Sequence, residues 1–313
     1  MRIAVIDLGT NTFNVVVADV TTEGFTVIHN SKEGVALGMG GINERMIAPE
    51  AMKRALKAFK AFMNICVKYQ VFAVRAIGTS ALRDAKNADE LVSKVHKLYG
   101  VKIEIIEGLR EAELIYQGVS WSYDFDEPSL IMDIGGGSTE FIRGYKDEAL
   151  QSCSLNIGVS RAVQLFSPSD PMSADDQAAL ISWFEESAGP LKDFRPCTTL
   201  VGASGSFETF YEMIHKTAFP SGMKAIRLNR AELDKTLDWI IHSRFEEREQ
   251  HPFIIPIRRR MAPIAALKTK WILDKFGISE IVISPYALKE GVLRIAVNDK
   301  NKDNLNGPGA KKQ

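Results

Sequence analysis

Two stretches of this chain are built alike. Met1-Arg2-Ile3-Ala4-Val5-Ile6-Asp7-Leu8-Gly9-Thr10-Asn11-Thr12 and Ser129-Leu130-Ile131-Met132-Asp133-Ile134-Gly135-Gly136-Gly137-Ser138-Thr139 each run an apolar strand into an aspartate. In each, a tight glycine turn follows, then hydroxyl or amide side chains and a second β-rich stretch. Glycine at such a turn reaches positive φ and lets the backbone approach a ligand, so successive N–H groups converge on anionic oxygens. Gly9, Thr10, Asn11 and Thr12 in the first copy, and Gly135, Gly136, Gly137 and Ser138 in the second, are therefore candidate phosphate-binding residues. The aspartate that ends each strand, Asp7 or Asp133, repels an anion but suits a Mg2+ ion that bridges to one. One Asp-x-Gly turn is common in ordinary hairpins; two copies predict a duplicated domain with a ligand clamped between the halves.

At 313 residues, 45% of them hydrophobic, the chain is long enough for two domains and a large core. Its 39 basic and 39 acidic side chains cancel, so no overall field draws it to nucleic acid or to an anionic membrane. Any polyanion has to be met by a local patch. Cys66, Cys153 and Cys197 are too few and too scattered for a disulfide framework or a structural zinc site, which fits a reducing compartment. No apolar run reaches the ~20 residues of a membrane span, and the chain enters a strand with no basic leader, so a cytoplasmic protein is expected. The histidines, His29, His96, His215, His242 and His251, form no HExxH pattern. Gly38-Met39-Gly40-Gly41 lacks the context of a dinucleotide loop, and there is no Walker A motif.

Ile3 to Ile6, Phe13 to Val20 and Gly24 to Asn30 read as an antiparallel meander. From Pro49 the period changes: Met52, Ala55, Leu56, Phe59, Phe62 and Met63 fall at helical spacing, with Lys53, Arg54, Lys57 and Lys60 opposite them. Strand Phe72 to Ile77, helix Leu91 to Leu98, strand Val101 to Ile106 and helix Arg110 to Val119 then alternate as in a βαβ sheet. The polar connector Trp121 to Ser129 marks a boundary, giving domains 1–122 and 123–286. The second half repeats the order, with a strand Leu150 to Asn156, a strand Thr199 to Gly202, a broken helical region from Ser206 to Phe276 and a last strand Glu280 to Ser284. A closing helix, 287–298, is expected to pack back on the first domain, and the polar stretch 299–313 to be frayed or disordered.

A strand-Asp-Gly hairpin in both halves, followed by alternating strands and helices, is the layout of the actin, sugar kinase and heat-shock ATPase superfamily. Within it the chain closely resembles the exopolyphosphatase / guanosine pentaphosphate phosphohydrolase family. Besides the two hairpins, the resemblance rests on Ala76-Ile77-Gly78-Thr79-Ser80-Ala81-Leu82-Arg83, Ile103-Glu104-Ile105-Ile106-Glu107-Gly108-Leu109-Arg110-Glu111-Ala112, Gly202-Ala203-Ser204-Gly205 and Ala287-Leu288-Lys289-Glu290-Gly291-Val292-Leu293. It implies an α/β chain of two similar actin-like (ribonuclease H-like) domains with an interdomain cleft. The implied activity is Mg2+-dependent hydrolysis of the terminal phosphoanhydride of polyphosphate or guanosine pentaphosphate.

By that resemblance Glu111 orients and deprotonates the attacking water, Asp133 and Glu140 serve metal and water beside the scissile phosphate, and Arg83 grips phosphate oxygens. Asp7 is the symmetric carboxylate of the first half and a candidate to share the metal. Read without the family, Glu111 merely favours the positive end of its helix, and Glu140 is a solvated strand residue. Ser204 and Gly205 follow a strand and open a helix, so they too offer N–H groups to an anion. The run Arg258-Arg259-Arg260 lies along a polyphosphate path or is a solvated helix face. The chain departs from the family pattern at three places. Arg110 replaces the first glutamate of the family's pair, where its charge would lower the pKa of Glu111 or contact a phosphate. Pro285-Tyr286 replaces an Asp-Gly, removing a donor and adding bulk where a nucleotide base would sit, and Lys289 replaces an arginine. These departures keep open a sensor that binds polyphosphate or alarmone without turnover; an ATP-dependent kinase is the third reading, and the family makes a homodimer plausible.

Overall fold

A computed structural model describes residues 1–306 other than Asp147, Ser221 and Met223, with side chains described to Asp299. The first half comprises β1 (Arg2–Leu8), β2 (Thr12–Val20), β3 (Phe25–Gly34), α1 (Pro49–Lys68), β4 (Ala73–Gly78), α2 (Ser80–Asp84), α3 (Ala88–Tyr99), β5 (Ile103–Ile105) and α4 (Gly108–Val119). Its sheet has the order β3-β2-β1-β4-β5, antiparallel through the meander and parallel from β1 to β4 to β5. The second half comprises β6 (Ser129–Ile134), β7 (Thr139–Tyr145), β8 (Glu148–Leu155), α5 (Val159–Phe166), α6 (Ala174–Ser187), β9 (Thr199–Ala203), α7 (Gly205–His215), β10 (Ile226–Leu228), α8 (Arg230–His242), α9 (Phe245–Gln250), α10 (Ala262–Phe276) and β11 (Glu280–Ile283). The order β8-β7-β6-β9-β11 repeats the first sheet strand for strand, and β10 is an added antiparallel edge. The duplication expected from the hairpins is thus a duplication of whole sheets, in the actin-like arrangement.

Alternation along the strands sorts side chains into layers. On β1, Ala4, Ile6 and Leu8 join Phe13, Val15 and Val17 under Ala55, Phe59 and Phe62 of α1. Ile3 and Val5 face the other way, into a core that also takes Ile131 of β6, Ile142 of β7, Val201 of β9 and Val282 of β11. Between the two sheets lie α4 and the closing helix α11 (Leu288–Asn306), through Ala112, Ile115 and Val119 of the one and Leu288, Val292 and Leu293 of the other. The closing helix therefore belongs to a central layer shared by both sheets. Gly118 and Gly291 set its distance from α4. A Cβ on Gly118 would overlap the Ala287 carbonyl, and one on Gly291 the Leu114 carbonyl, so only glycine lets the two backbones meet. Outside the second sheet, α6, α8 and α10 close a third core around Phe184, Leu237 and Ile272.

Three expectations change. Within the region read as helical, Ile226–Leu228 is a strand, paired with β11 through Ile226 and Ile283. The helix α11 runs to Asn306, so residues 299–306 are helical, while 307–313 lie outside the described residues. Phe72, taken as the start of a buried strand, precedes β4 and is 79% exposed. Among the described residues no helix is long and apolar enough to cross a membrane, and Cys66, Cys153 and Cys197 are free and buried.

Candidate active site

The two glycine turns meet in a cleft that encloses about 320 Å3 between the halves. In both, the turn carbonyls are drawn backwards. Asn11 O accepts from Val35 N and Ala36 N at 2.9 and 2.7 Å, and Thr10 O from Gly38 N at 3.1 Å. In the second half the first turn of α5 does the same: Gly158 N, Val159 N and Ser160 N donate to the carbonyls of Gly137, Gly135 and Gly136 at 3.2, 3.0 and 2.8 Å. Among the described residues the N–H groups of Thr10, Asn11, Gly136, Gly137 and Ser138, all lining the cleft, donate to no protein acceptor. A row of unspent donors at a turn is an anion cradle. The tips also touch, since a Cβ on Gly137 would collide with Ser80 Oγ and lie 2.9 Å from Thr10 Oγ1. Ser80 Oγ, buried in the cleft lining, has no hydrogen-bond partner among the described residues.

Strand register places the carboxylates. Asp133 on β6 is the direct cross-strand partner of Glu140 on β7, and Asp7 on β1 is the partner of Asn14 on β2. The two hairpins are equivalent, but only the second carries two acids face to face, an arrangement that costs stability. Asn14 Nδ2 instead donates to Asp7 Oδ2 at 3.0 Å. Burial, then the charge of Glu140, pushes Asp133 up to about 7. Burial raises Asp7 to about 6 against the opposing field of Lys289 and the Asn14 hydrogen bond. Glu111 enters from the first turn of α4, 8% exposed, with Oε2 3.0 Å from Arg83 Nη1. Burial and the nearby Glu140 raise its carboxyl well above the ordinary range despite that arginine. Glu140 is also raised by burial, against hydrogen bonds from Ser138 and from Ser154, whose Oγ donates to Oε1 at 2.7 Å. Gly108 brings the groups together, because a Cβ there would come within 2.5 Å of Ser154 on β8.

These are hard oxygen donors whose pKa values are raised by burial first and, for Asp133 and Glu111, by the nearby charge of Glu140. A divalent cation would relieve that repulsion. Among the described residues no three acid, histidine or cysteine side chains converge as a ready metal cage. The facing pair Asp133 and Glu140 offers two hard carboxylates, a set of the kind a Mg2+ ion takes while filling its shell with water and phosphate oxygens.

The sequence profile of the Ppx/GppA phosphatase family matches residues 16–299. The chain belongs to that family. It is 29% identical over 312 residues to the bifunctional 3-dehydroquinate synthase/phosphatase of Fusobacterium nucleatum, covering 95% of this chain and 47% of that protein. It is 31% identical over 214 residues to the guanosine-5'-triphosphate,3'-diphosphate pyrophosphatase of Photobacterium profundum, covering 67% of this chain and 43% of that one. The chain thus spans less than half the length of these two relatives. Among solved structures, an exopolyphosphatase from Cytophaga hutchinsonii superposes with a TM-score of 0.92 at 36% identity, covering 96% of this chain and 98% of the other.

Of the residues expected at a Ppx/GppA phosphate site, Asp7, Gly9 to Thr12, Glu111, Asp133, Gly135 to Ser138, Glu140, Ser204 and Gly205 all line the cleft. Ser204 has φ +81°, a strained conformation for a residue with a side chain and a frequent mark of functional loops. Asn11 differs from the expectation in part: its amide spans the halves, accepting from Ser160 Oγ and donating to Met261 Sδ, so its free donor is the backbone N–H. Arg83 stands behind the lining and spends Nη1 on Glu111 and on the Ile106 carbonyl. Arg110 turns outward to Glu113 at 2.6 Å, so the positive group beside Glu111 is Arg83. The arginine run divides. Arg258 lines the cleft, whereas Arg259 pairs with Glu249 and Arg260 lies over Phe245. Tyr286 packs on Phe25 in the central core, so its bulk is not in the cleft, and only Pro285 lines it. Two lysines were missed as site residues. Lys289, seen only as a departure from the family, lines the cleft, and buried Lys268 of α10 donates to Thr139 Oγ1 at 2.9 Å and to Ile157 O. Lys268 falls at helical spacing among Ile264, Trp271 and Ile272 on the buried face of α10, which was its one sequence signal.

Proposed function

We propose that the chain hydrolyses the terminal phosphoanhydride of an inorganic polyphosphate chain, and that guanosine pentaphosphate is a second substrate with the same reacting bond. The observation that carries this reading is a buried carboxylate, Glu111, held by Arg83 beside two facing cradles of unspent N–H donors. The terminal phosphate rests against Thr10, Asn11 and Gly136 to Ser138, whose dipoles need no reorganisation as charge develops. Asp133 and Glu140, with Asp7 also lining the cleft, would hold a Mg2+ ion, which would supply charge neutralisation for the phosphate oxygens. Water attacks the terminal phosphorus and its proton passes to Glu111, while the bond to the bridging oxygen breaks and leaves orthophosphate and a chain shorter by one. Arg83 fixes the carboxylate's aim and favours its ionised form. Because burial raises Glu111, the base fraction grows with pH, and the rate is expected to climb from acid toward neutral pH.

The test is phosphate release from short and long polyphosphate, guanosine pentaphosphate and ATP with Mg2+, comparing the natural chain with Glu111→Gln. The reading requires a clear activity that falls by ~10²-fold or more in the variant. Binding of polyphosphate without turnover by the natural chain would convert the assignment to a sensor.

A further inference from the structure

Each glycine turn is backed by a cation that does not line the cleft. In the second half it is Lys268 of α10, fully buried, whose Nζ donates to Ile157 O and, at 2.9 Å, to Thr139 Oγ1. Ile157 O belongs to the peptide group that ends in Gly158 N–H. That N–H donates to Gly137 O, and the Gly137 peptide ends in Ser138 N–H, an unspent donor of the cradle. Ammonium, two peptide groups and cradle donor thus stand head to tail. In the first half Arg54 of α1 takes the same place: Nε donates to Val35 O at 2.7 Å and Nη2 to Ala36 O at 2.9 Å. The Val35 peptide ends in Ala36 N–H, which donates to Asn11 O, and the Asn11 peptide ends in the N–H of Thr12, a cleft-lining residue. The two helices are not equivalent in the duplication, since α1 leads into the fourth strand of its sheet and α10 into β11, the fifth of the repeated order.

An ammonium without a carboxylate partner is costly to bury, and an apolar side chain would serve packing better. Neither Arg54 nor Lys268 forms an ion pair among the described residues. Besides its two neutral oxygens, Lys268 Nζ has the ring of Phe184 at 5.3 Å, and burial lowers its ammonium to about 7 against the charge of Glu140. Gly137 O also accepts from Arg161 Nε at 3.1 Å, but Arg161 is paired with Asp84, so Lys268 is the uncompensated charge behind this turn.

We infer that Lys268, and Arg54 in the other half, are positioning residues that polarise the glycine turns from behind, through the peptide groups 157–158 and 35–36, and so strengthen the N–H donors that meet a phosphate. The inference rests on the phosphate cradle of the polyphosphate reading above. Hydrogen bonds in series polarise one another, so a cation at the tail of the chain strengthens the donor at its head. Because the charge is buried, water screens it little. The same charge acts in the opposite sense on a metal. Lys268 stands in the field of Glu140, so it favours an anion at Ser138 and disfavours a cation at Asp133 and Glu140.

The test is equilibrium binding of tripolyphosphate in chelator, and separately of Mg2+ alone, to the full chain and to its Lys268→Met and Arg54→Met variants. Lys268→Met is expected to weaken tripolyphosphate roughly tenfold and to tighten Mg2+ several-fold. A general loss of structure weakens both ligands, so the opposite signs are the readout. Arg54→Met is expected to weaken tripolyphosphate by a smaller factor, because Arg54 is only half-buried, with Mg2+ affinity kept; it decides the matter if Lys268→Met does not fold. Unchanged affinity for tripolyphosphate, or a loss shared equally by Mg2+, overturns the inference. If the natural chain releases phosphate from polyphosphate while the variants bind as it does, the polarising role falls and the hydrolase stands. If it binds without turnover, the hydrolase reading falls and the two affinities still decide the role of Lys268. A natural chain that binds no tripolyphosphate removes the cradle and overturns both.

Discussion

Replacing Asp133 by asparagine is expected to stabilise the metal-free protein while removing the function proposed for it. The side chain stands directly across from Glu140 and is buried, and its carboxyl rises from 3.8 to about 7, through burial first and the Glu140 charge second. At 1.36 kcal/mol per pH unit, an ionised Asp133 costs the folded state about 4 kcal/mol, an upper figure because relaxation and solvent take part of it. The sign follows from proton counts. Below about pH 4 the group is protonated in both states; between there and about pH 7 the folded chain binds the extra proton; above that the advantage is gone. Wild type in chelator should therefore lose stability as pH rises from 4 to 8, and Asp133→Asn should lose less. The amide keeps the shape and still accepts the Ser204 hydrogen bond, so a net gain of about 2 kcal/mol at pH 8 is expected, or roughly 4–8 °C in Tm. Thermal melts of both proteins at pH 4.5 and 8 measure it. Mg2+ should then raise the Tm of wild type and not of the variant, since a ligand stabilises only the state that binds it. A variant that melts at or below wild type at pH 8 in chelator, or a gap that does not change with pH, refutes the reasoning.

Gly291→Ala should separate α11 from α4, because its Cβ overlaps the Leu114 carbonyl, and lower stability by roughly 2–4 kcal/mol in a urea titration. An unchanged urea midpoint would show that the helices slide freely. Gly158→Ala places a Cβ on the Gly136 carbonyl; KM for polyphosphate should rise with the fold intact by circular dichroism, and an unaltered KM would remove this turn from the site. Arg161 of α5 joins Gly137 O at 3.1 Å to Asp84 of the first half at 2.6 Å, so Arg161→Ala leaves Asp84 unpaired and the halves less tightly closed. A larger radius of gyration by small-angle scattering and a loss on the order of 3 kcal/mol are expected; identical scattering profiles would argue that the halves are held elsewhere.

Much of the architecture was legible because it is encoded locally. A short, wholly apolar run in Ile3 to Ile6 and in Leu130 to Met132, each ended by an aspartate and a glycine turn, declares two equivalent hairpins before any contact is known. The helical period of Met52, Ala55, Phe59 and Phe62 likewise declares the face that meets the sheet, and all four are buried. The strand Ile226–Leu228 was not legible, since three residues with Arg227 at their centre form a strand only when β11 offers its edge. Nor was the pairing of Asp133 with Glu140 against that of Asp7 with Asn14, which needs the hairpin register as well as the spacing.

By itself, then, the sequence determined the duplication, the glycine turns, and the residue types available to hold phosphate and cation, because backbone freedom and periodicity are properties of short stretches. Only the tertiary structure decided direction. It sent Arg110 outward to Glu113 and brought Arg83 from another helix to Glu111, turned Tyr286 into the core, split three adjacent arginines among three environments, and set Lys289 and Glu208 in the cleft. Where a charged side chain points is settled by which distant element leaves room and an opposite charge for it, and chain neighbours carry no record of that.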